Sequence, residues 1–209
     1  MVIKIFIVFI LLNMLQESQA QPGIAGEYYL KGVMEVGSGF LLRPDSSFAF
    51  FFSYGALDRE AEGKWTIKNN EVIFQSEPRP PHDFALLESK SVDSDSTIVK
   101  ISDSNELLVR YVHATASKQH TIMEGTTNSH GELFFPAKPI DSLTLVFQFC
   151  PEKASVFKLG NSNNYFEFRF EPWITRYHFN DFHLRIDGKD LKGKHPLLDE
   201  KEYVFVKSK

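Results

Sequence analysis

The sequence contains a single cysteine, Cys150. An internal disulfide is therefore excluded, and any domain here must hold together by core burial alone. Cys150 stands in Phe149-Cys150-Pro151, at the end of an apolar strand, where a cysteine reads as a small buried hydrophobe. Nothing around it resembles a nucleophile context. No serine sits in a Gly-x-Ser-x-Gly elbow, and no glycine-rich phosphate loop is present. Long helical periodicities are also missing. Neither sign of charge dominates: Lys plus Arg number 23 against 27 for Asp plus Glu, a net charge of −4. That balance gives no reason to expect nucleic acid or an anionic membrane as partner.

The one long apolar run is at the start. Lys4 supplies a positive end, Ile5 to Leu12 is unbroken apolar sequence, and Ser18-Gln19-Ala20 places small residues where a signal peptidase requires them. The uncharged stretch between Lys4 and Glu17 is well short of the about 20 apolar residues a spanning helix needs. The expectation is a signal peptide over 1–20, cleaved near Ala20, and delivery to the periplasm or the extracellular space. A lipoprotein signal ends at a cysteine, so neither a lipid anchor nor a membrane span is expected. The lack of disulfides suits a bacterial exported protein better than an animal one.

What the sequence has in quantity is aromatic rings: 20 Phe, 7 Tyr and 2 Trp. They recur at period two, the spacing of a strand. Phe48, Phe50 and Phe52 share one face of Ser47 to Ser53, with Phe51 on the other. Phe166, Phe168 and Phe170 alternate with Glu167, Arg169 and Glu171. Phe182, Leu184 and Ile186 alternate with His183, Arg185 and Asp187. Asn69-Asn70 and Asp187-Gly188 are hairpin signals. Strands are also expected over 26–30, 63–67, 71–75, 106–113 and 203–206. Tyr54 to Glu62 is read as a charged loop, and 114–120 as a polar one.

Proline-rich 77–83 and the serine-rich stretch after it suggest a boundary, and Asn161 to Asn164 suggests another. The fold class expected is all-β. The favoured arrangement is an antiparallel barrel formed by 21–97 and 159–209 with a β-sandwich over 98–158 inserted into it; the rival is a plain succession of N-terminal sheet, sandwich and C-terminal strands. Neither flank has a complete core alone, while together they supply enough strands to close a barrel and remove its edges.

Two resemblances support this. Gly26-Glu27-Tyr28, Phe48-Ala49-Phe50, Gly63-Lys64-Trp65 and Val72-Ile73-Phe74 resemble bacterial lipocalin-like barrels. That resemblance implies a Gly-x-Trp in which an indole packs across the barrel beside a residue with no side chain. The Trp stands later in the chain than in true lipocalins, so their pocket does not carry over. Leu108 to Phe147, with Thr126-Thr127-Asn128 and Gly131 ahead of Leu133-Phe134-Phe135, is similar to carboxypeptidase regulatory-like modules. Those are transthyretin-like sandwiches, and neither family implies catalysis by these motifs.

The candidate ligand-binding residues are Phe48, Phe50, Phe52, Trp65, Phe166, Phe168 and Phe170. They would either line a cavity for a small apolar ligand or simply fill the barrel. No catalytic residue, metal site or cofactor is expected. His178 and His183 are five apart, which on a strand points them to opposite faces. The function expected is binding or interaction at the bacterial cell envelope, with an apolar ligand or a protein as partner. The competing expectation is a periplasmic hydrolase using rim carboxylates Asp58, Glu60 and Glu62.

Overall fold

A computed structural model describes residues 23–55, 57–159 and 162–209. The expected signal peptide lies outside the described residues. Among the described residues every regular element is a strand, and no helix is long and apolar enough to cross a membrane.

The described residues separate into two compact units, one of residues 23–78 with 177–209 and one within residues 79–176. The first is a closed barrel of eight strands. Its strands are β1 (Gly26–Leu30), β2 (Val36–Leu42), β3 (Ser47–Tyr54), β4 (Leu57–Lys68), β5 (Glu71–Gln75), β14 (Phe182–Asp187), β15 (Asp190–Lys194) and β16 (Glu202–Lys207). The order around the wall is β1-β16-β15-β14-β5-β4-β3-β2, antiparallel throughout. Closure pairs every strand on both sides, so no bare edge remains.

Alternation decides which side chains enter. Phe48, Phe50 and Phe52 are buried while Phe51 is 41% exposed. At the β4–β5 hairpin, Asn69 and Asn70 both take positive φ, 52° and 65°, as a two-residue turn with right-handed twist requires. One expectation is corrected. Tyr54 to Glu62 is not a loop, because Tyr54 pairs with Leu57 and β4 runs on unbroken from there. Its outward carboxylates hide the alternation.

The second unit has two four-stranded sheets. One has the order β10-β7-β13-β6, from β10 (Glu132–Phe135), β7 (Thr97–Ile101), β13 (Tyr165–Phe170) and β6 (Phe84–Lys90). The other has the order β12-β11-β8-β9, from β12 (Ser155–Lys158), β11 (Ser142–Phe147), β8 (Val112–Lys118) and β9 (Thr121–Thr126). Val99, Phe166 and Phe168 from the first sheet join Ala114, Leu143 and Leu145 from the second in one core. Cys150 is buried in that core.

The inserted unit therefore runs over 79–176 rather than 98–158. β6 pairs with β13 and β13 pairs in parallel with β7, so these strands complete the sandwich and add nothing to the barrel wall. Within it, Glu106 to Arg110 forms turns and β8 begins only at Val112. The stretch 114–120, read from the sequence as a polar loop, carries the end of β8 as far as Lys118. β8 is a core strand whose inward residues, Ala114 and Ala116, are too small to mark it.

Candidate functional site

Four of the seven candidate residues, Phe48, Phe50, Phe52 and Trp65, lie inside the barrel and are buried. They fill it rather than line it. Phe179, which lies between the strands, packs its ring against Phe40, Phe48, Phe50, Phe74 and Phe182 at centroid distances of 5.7, 5.4, 5.2, 5.9 and 5.0 Å. These are ordinary edge-to-face and tilted aromatic contacts. Phe179 is held there by its backbone, with its N–H donating to Ser76 Oγ and its C=O accepting from Ser76 N–H. No periodic signal marks a ring that enters from a connection.

Trp65 donates its Nε1–H to Arg43 O at 3.1 Å. Beside it, a Cβ on Gly63 would strike Gln75 O and come within 2.8 Å of Phe48 Cε1. The space a side chain at Gly63 would need is thus taken by the β5 backbone and the Phe48 ring.

The other three candidates are corrected. Phe166, Phe168 and Phe170 lie on β13, in the core of the inserted unit. Their alternation with charged residues is the same as in a barrel strand, so pattern alone does not assign them to a sheet.

Of the buried polar residues in the barrel, two with large side chains were not expected. Arg59 is 2% exposed, and its guanidinium carbon stands 5.9 Å from the centroid of the Tyr177 ring, within cation–π range. Counting back from Trp65 in steps of two reaches Gly63, Ala61 and Arg59, so strand periodicity alone would have pointed Arg59 inward. His195 is 4% exposed. Its Nδ1 accepts from the Leu197 N–H at 3.0 Å. The proton therefore sits on Nε2, which donates to Ser38 Oγ at 2.9 Å, and Ser38 in turn donates to Phe51 O. Burial pushes the His195 pKa down to about 4, so the ring is neutral at pH 7. It stacks on Phe205 at 5.8 Å. Ser38, Phe52 and Arg59 are successive partners across β2, β3 and β4, which places the serine and the arginine at one level of the barrel.

An open concavity lies on the outer wall of the barrel. Two rows of outward residues cross four strands. One runs Tyr29, Gly39, Phe51 and Glu60, and the other Glu27, Leu41, Ala49 and Glu62. One small residue in each row, Gly39 and Ala49, among longer neighbours leaves a trough of about 380 Å³. Gly39 has no room for a side chain, since a Cβ there would approach Tyr28 O and lie 3.0 Å from Phe51 Cε1. Tyr29 and Phe51 meet edge to face at 6.2 Å and are each 41% exposed. Tyr29 donates its hydroxyl to Glu27 at 2.9 Å, and that carboxylate raises the phenol pKa.

Asp58, Glu60 and Glu62 all point outward and are exposed. They form a line along β4 rather than a converging set. His183 lies between two carboxylates, with Nδ1 2.8 Å from Glu71 Oε2 and Nε2 3.0 Å from Asp181 Oδ1. Those hydrogen bonds, Glu71 first, raise its pKa. His178 instead bonds Glu77 O, so the two histidines share no site. Among the described residues no group of three or more His, Cys, Asp or Glu is placed to hold a metal ion.

The class these observations define is an all-β protein with an eight-stranded closed antiparallel barrel, interrupted by a unit of two further sheets. Compared with known proteins, the chain matches no family model, no curated protein and no solved structure.

Proposed function

We propose that the chain is an exported binding or interaction protein of the bacterial cell envelope, and that it makes contact through the outer wall of its barrel. The observation that carries this is the contrast between the two faces of β1 to β4. Inward, Phe48, Phe50 and Phe179 pack ring against ring. Outward, the same strands carry a trough with an apolar floor and half-exposed aromatic walls. Partly exposed aromatic rings beside polar groups are what binding surfaces are built from.

The resemblance to lipocalin-like barrels is supported by a buried Trp65 whose indole donates to Arg43 O, and by Gly63, two residues before it on the inward face of β4, standing where no side chain fits. For the inserted unit, likeness to carboxypeptidase regulatory-like modules is supported by the turn at Thr127 to Gly131. There Thr127 Oγ1 donates to Val109 O, and Asn128 Oδ1 accepts from the N–H groups of His130 and Glu132. Export rests on the composition of residues 1–20, and a mature protein beginning at Gln21 by mass spectrometry is the expected result. The hydrolase alternative is less well supported, because Asp58, Glu60 and Glu62 stand in water instead of sharing a dry site.

Amide chemical-shift mapping with a neutral aromatic fragment such as benzyl alcohol tests the binding surface. Perturbation should concentrate at Gly39, Leu41, Ala49 and Phe51. Changes confined to Phe48, Phe50 and Phe179 would return the ligand to the barrel interior. No change anywhere would remove the binding proposal.

A further inference from the structure

The outer trough is chemically one-sided, and that narrows what it can hold. Its ends carry Glu27 on β1 and Glu60 and Glu62 on β4. Among the described residues none of the three stands in a salt bridge. Lys64, two residues beyond Glu62 on β4, and Arg43 help to hold the Asp45 carboxyl below its ordinary value after its hydrogen bonds to Ser47. Between the acidic ends lie Leu41, Ala49 and the edge-to-face pair of Tyr29 and Phe51. Carboxylates beside an exposed ring face attract a cation by charge and by the ring quadrupole together. The apolar floor rewards a hydrocarbon body and gives nothing to a bare metal ion.

We propose that this trough binds a small organic ammonium ion, its cationic head held by Glu60 and Glu62 with Glu27 opposite, and its aryl or short alkyl body against Tyr29 and Phe51. The proposal rests on the outer wall being the binding face. The trough's volume suits a small molecule. A lysine- or arginine-bearing peptide would satisfy the same charges, but would need contacts beyond the trough.

The test compares benzyltrimethylammonium, benzyl alcohol and phenylacetate on the purified chain, by calorimetry and amide shift mapping. The ammonium ion should bind at least about tenfold more tightly than the alcohol, and phenylacetate should not bind. Perturbed amides should lie on β1 to β4 at the trough. In the E60Q/E62Q double variant, ammonium affinity should fall by about tenfold while alcohol affinity is unchanged. Equal affinity for the alcohol and the ammonium ion at the trough would overturn the ammonium proposal and leave the outer-wall reading standing. Absence of any trough perturbation with all three probes would overturn both. Ammonium binding that survives E60Q/E62Q intact, or that maps elsewhere, would overturn the ammonium proposal.

Discussion

His195 Nε2 donates a hydrogen bond to Ser38 Oγ at 2.9 Å, inside a barrel whose other inward side chains are mostly aromatic. Residues 157 positions apart are thereby joined, and each polar atom on the path from Leu197 N–H to Phe51 O has a partner. Such a chain is worth little net while complete and is costly to break. Ser38→Ala leaves the Nε2–H buried and unpaired. Chemical denaturation should show a loss of about 1–3 kcal/mol. An unchanged midpoint would mean the ring finds another acceptor.

The same ring sets a pH dependence. In the unfolded chain His195 titrates near its ordinary 6.5, and in the folded barrel burial lowers this to about 4. Between those values the unfolded state binds more protons, so stability rises with pH. This contribution is complete above pH 6.5 and is lost as the pH falls toward 4. Thermal melts from pH 7 to pH 4 should show a falling Tm, with a shallower fall in His195→Gln. Parallel curves for the two proteins would assign the slope to other groups.

Phe179 fills the barrel from a connection, so its removal should open a cavity. Phe179→Ala is expected to cost about 3–5 kcal/mol. It should also create uptake of a neutral apolar fluorophore such as N-phenyl-1-naphthylamine, as dry engineered cavities take up apolar guests. The unmodified chain should bind none of it inside. Equal uptake by both proteins would show that the interior was already accessible.

Gly63 faces Gln75 O and the Phe48 ring with no space for a methyl group. Gly63→Ala should therefore destabilise the barrel by about 1–3 kcal/mol through overpacking. Gly55→Ala, where an added Cβ meets nothing, isolates the backbone effect of positive φ. A cost at Gly63 no larger than at Gly55 would contradict the packing account.

Residues 79–176 should fold alone, because their two sheets share one continuous core. The shorter piece 98–158 lacks β6 and β13, and with them Phe84, Phe166 and Phe168. Expressed separately, the longer fragment should be soluble with a cooperative thermal transition and the shorter should not. Cooperative folding of 98–158 would restore the narrower boundary.

The barrel was legible wherever apolar side chains alternate cleanly, as in Phe48, Phe50 and Phe52 against Ala49 and Phe51. Its closure from both ends of the chain followed from neither flank having a core of its own. The assignment of strands to sheets was not legible, because Phe166, Phe168 and Phe170 carry the same alternation as a barrel strand. Strand β8 was hidden because Ala114 and Ala116 bury little surface and leave a polar-looking sequence. Of the buried polar pair, Arg59 was recoverable from the period that runs back from Trp65. His195 was not, since it follows β15 outside any repeat. The trough was invisible because it depends on Tyr29, Gly39, Phe51 and Glu60 aligning across four strands, and register is a property of pairing.

The central claim is that contact is made on the outer wall of the barrel and that the interior is filled by its own side chains. Intermolecular NOEs between bound benzyltrimethylammonium and assigned side chains test it most directly. The account predicts NOEs to the Ala49 methyl and to the Tyr29 and Phe51 rings. NOEs to Phe50, Trp65 or Phe179 instead would place the ligand inside the barrel and contradict it.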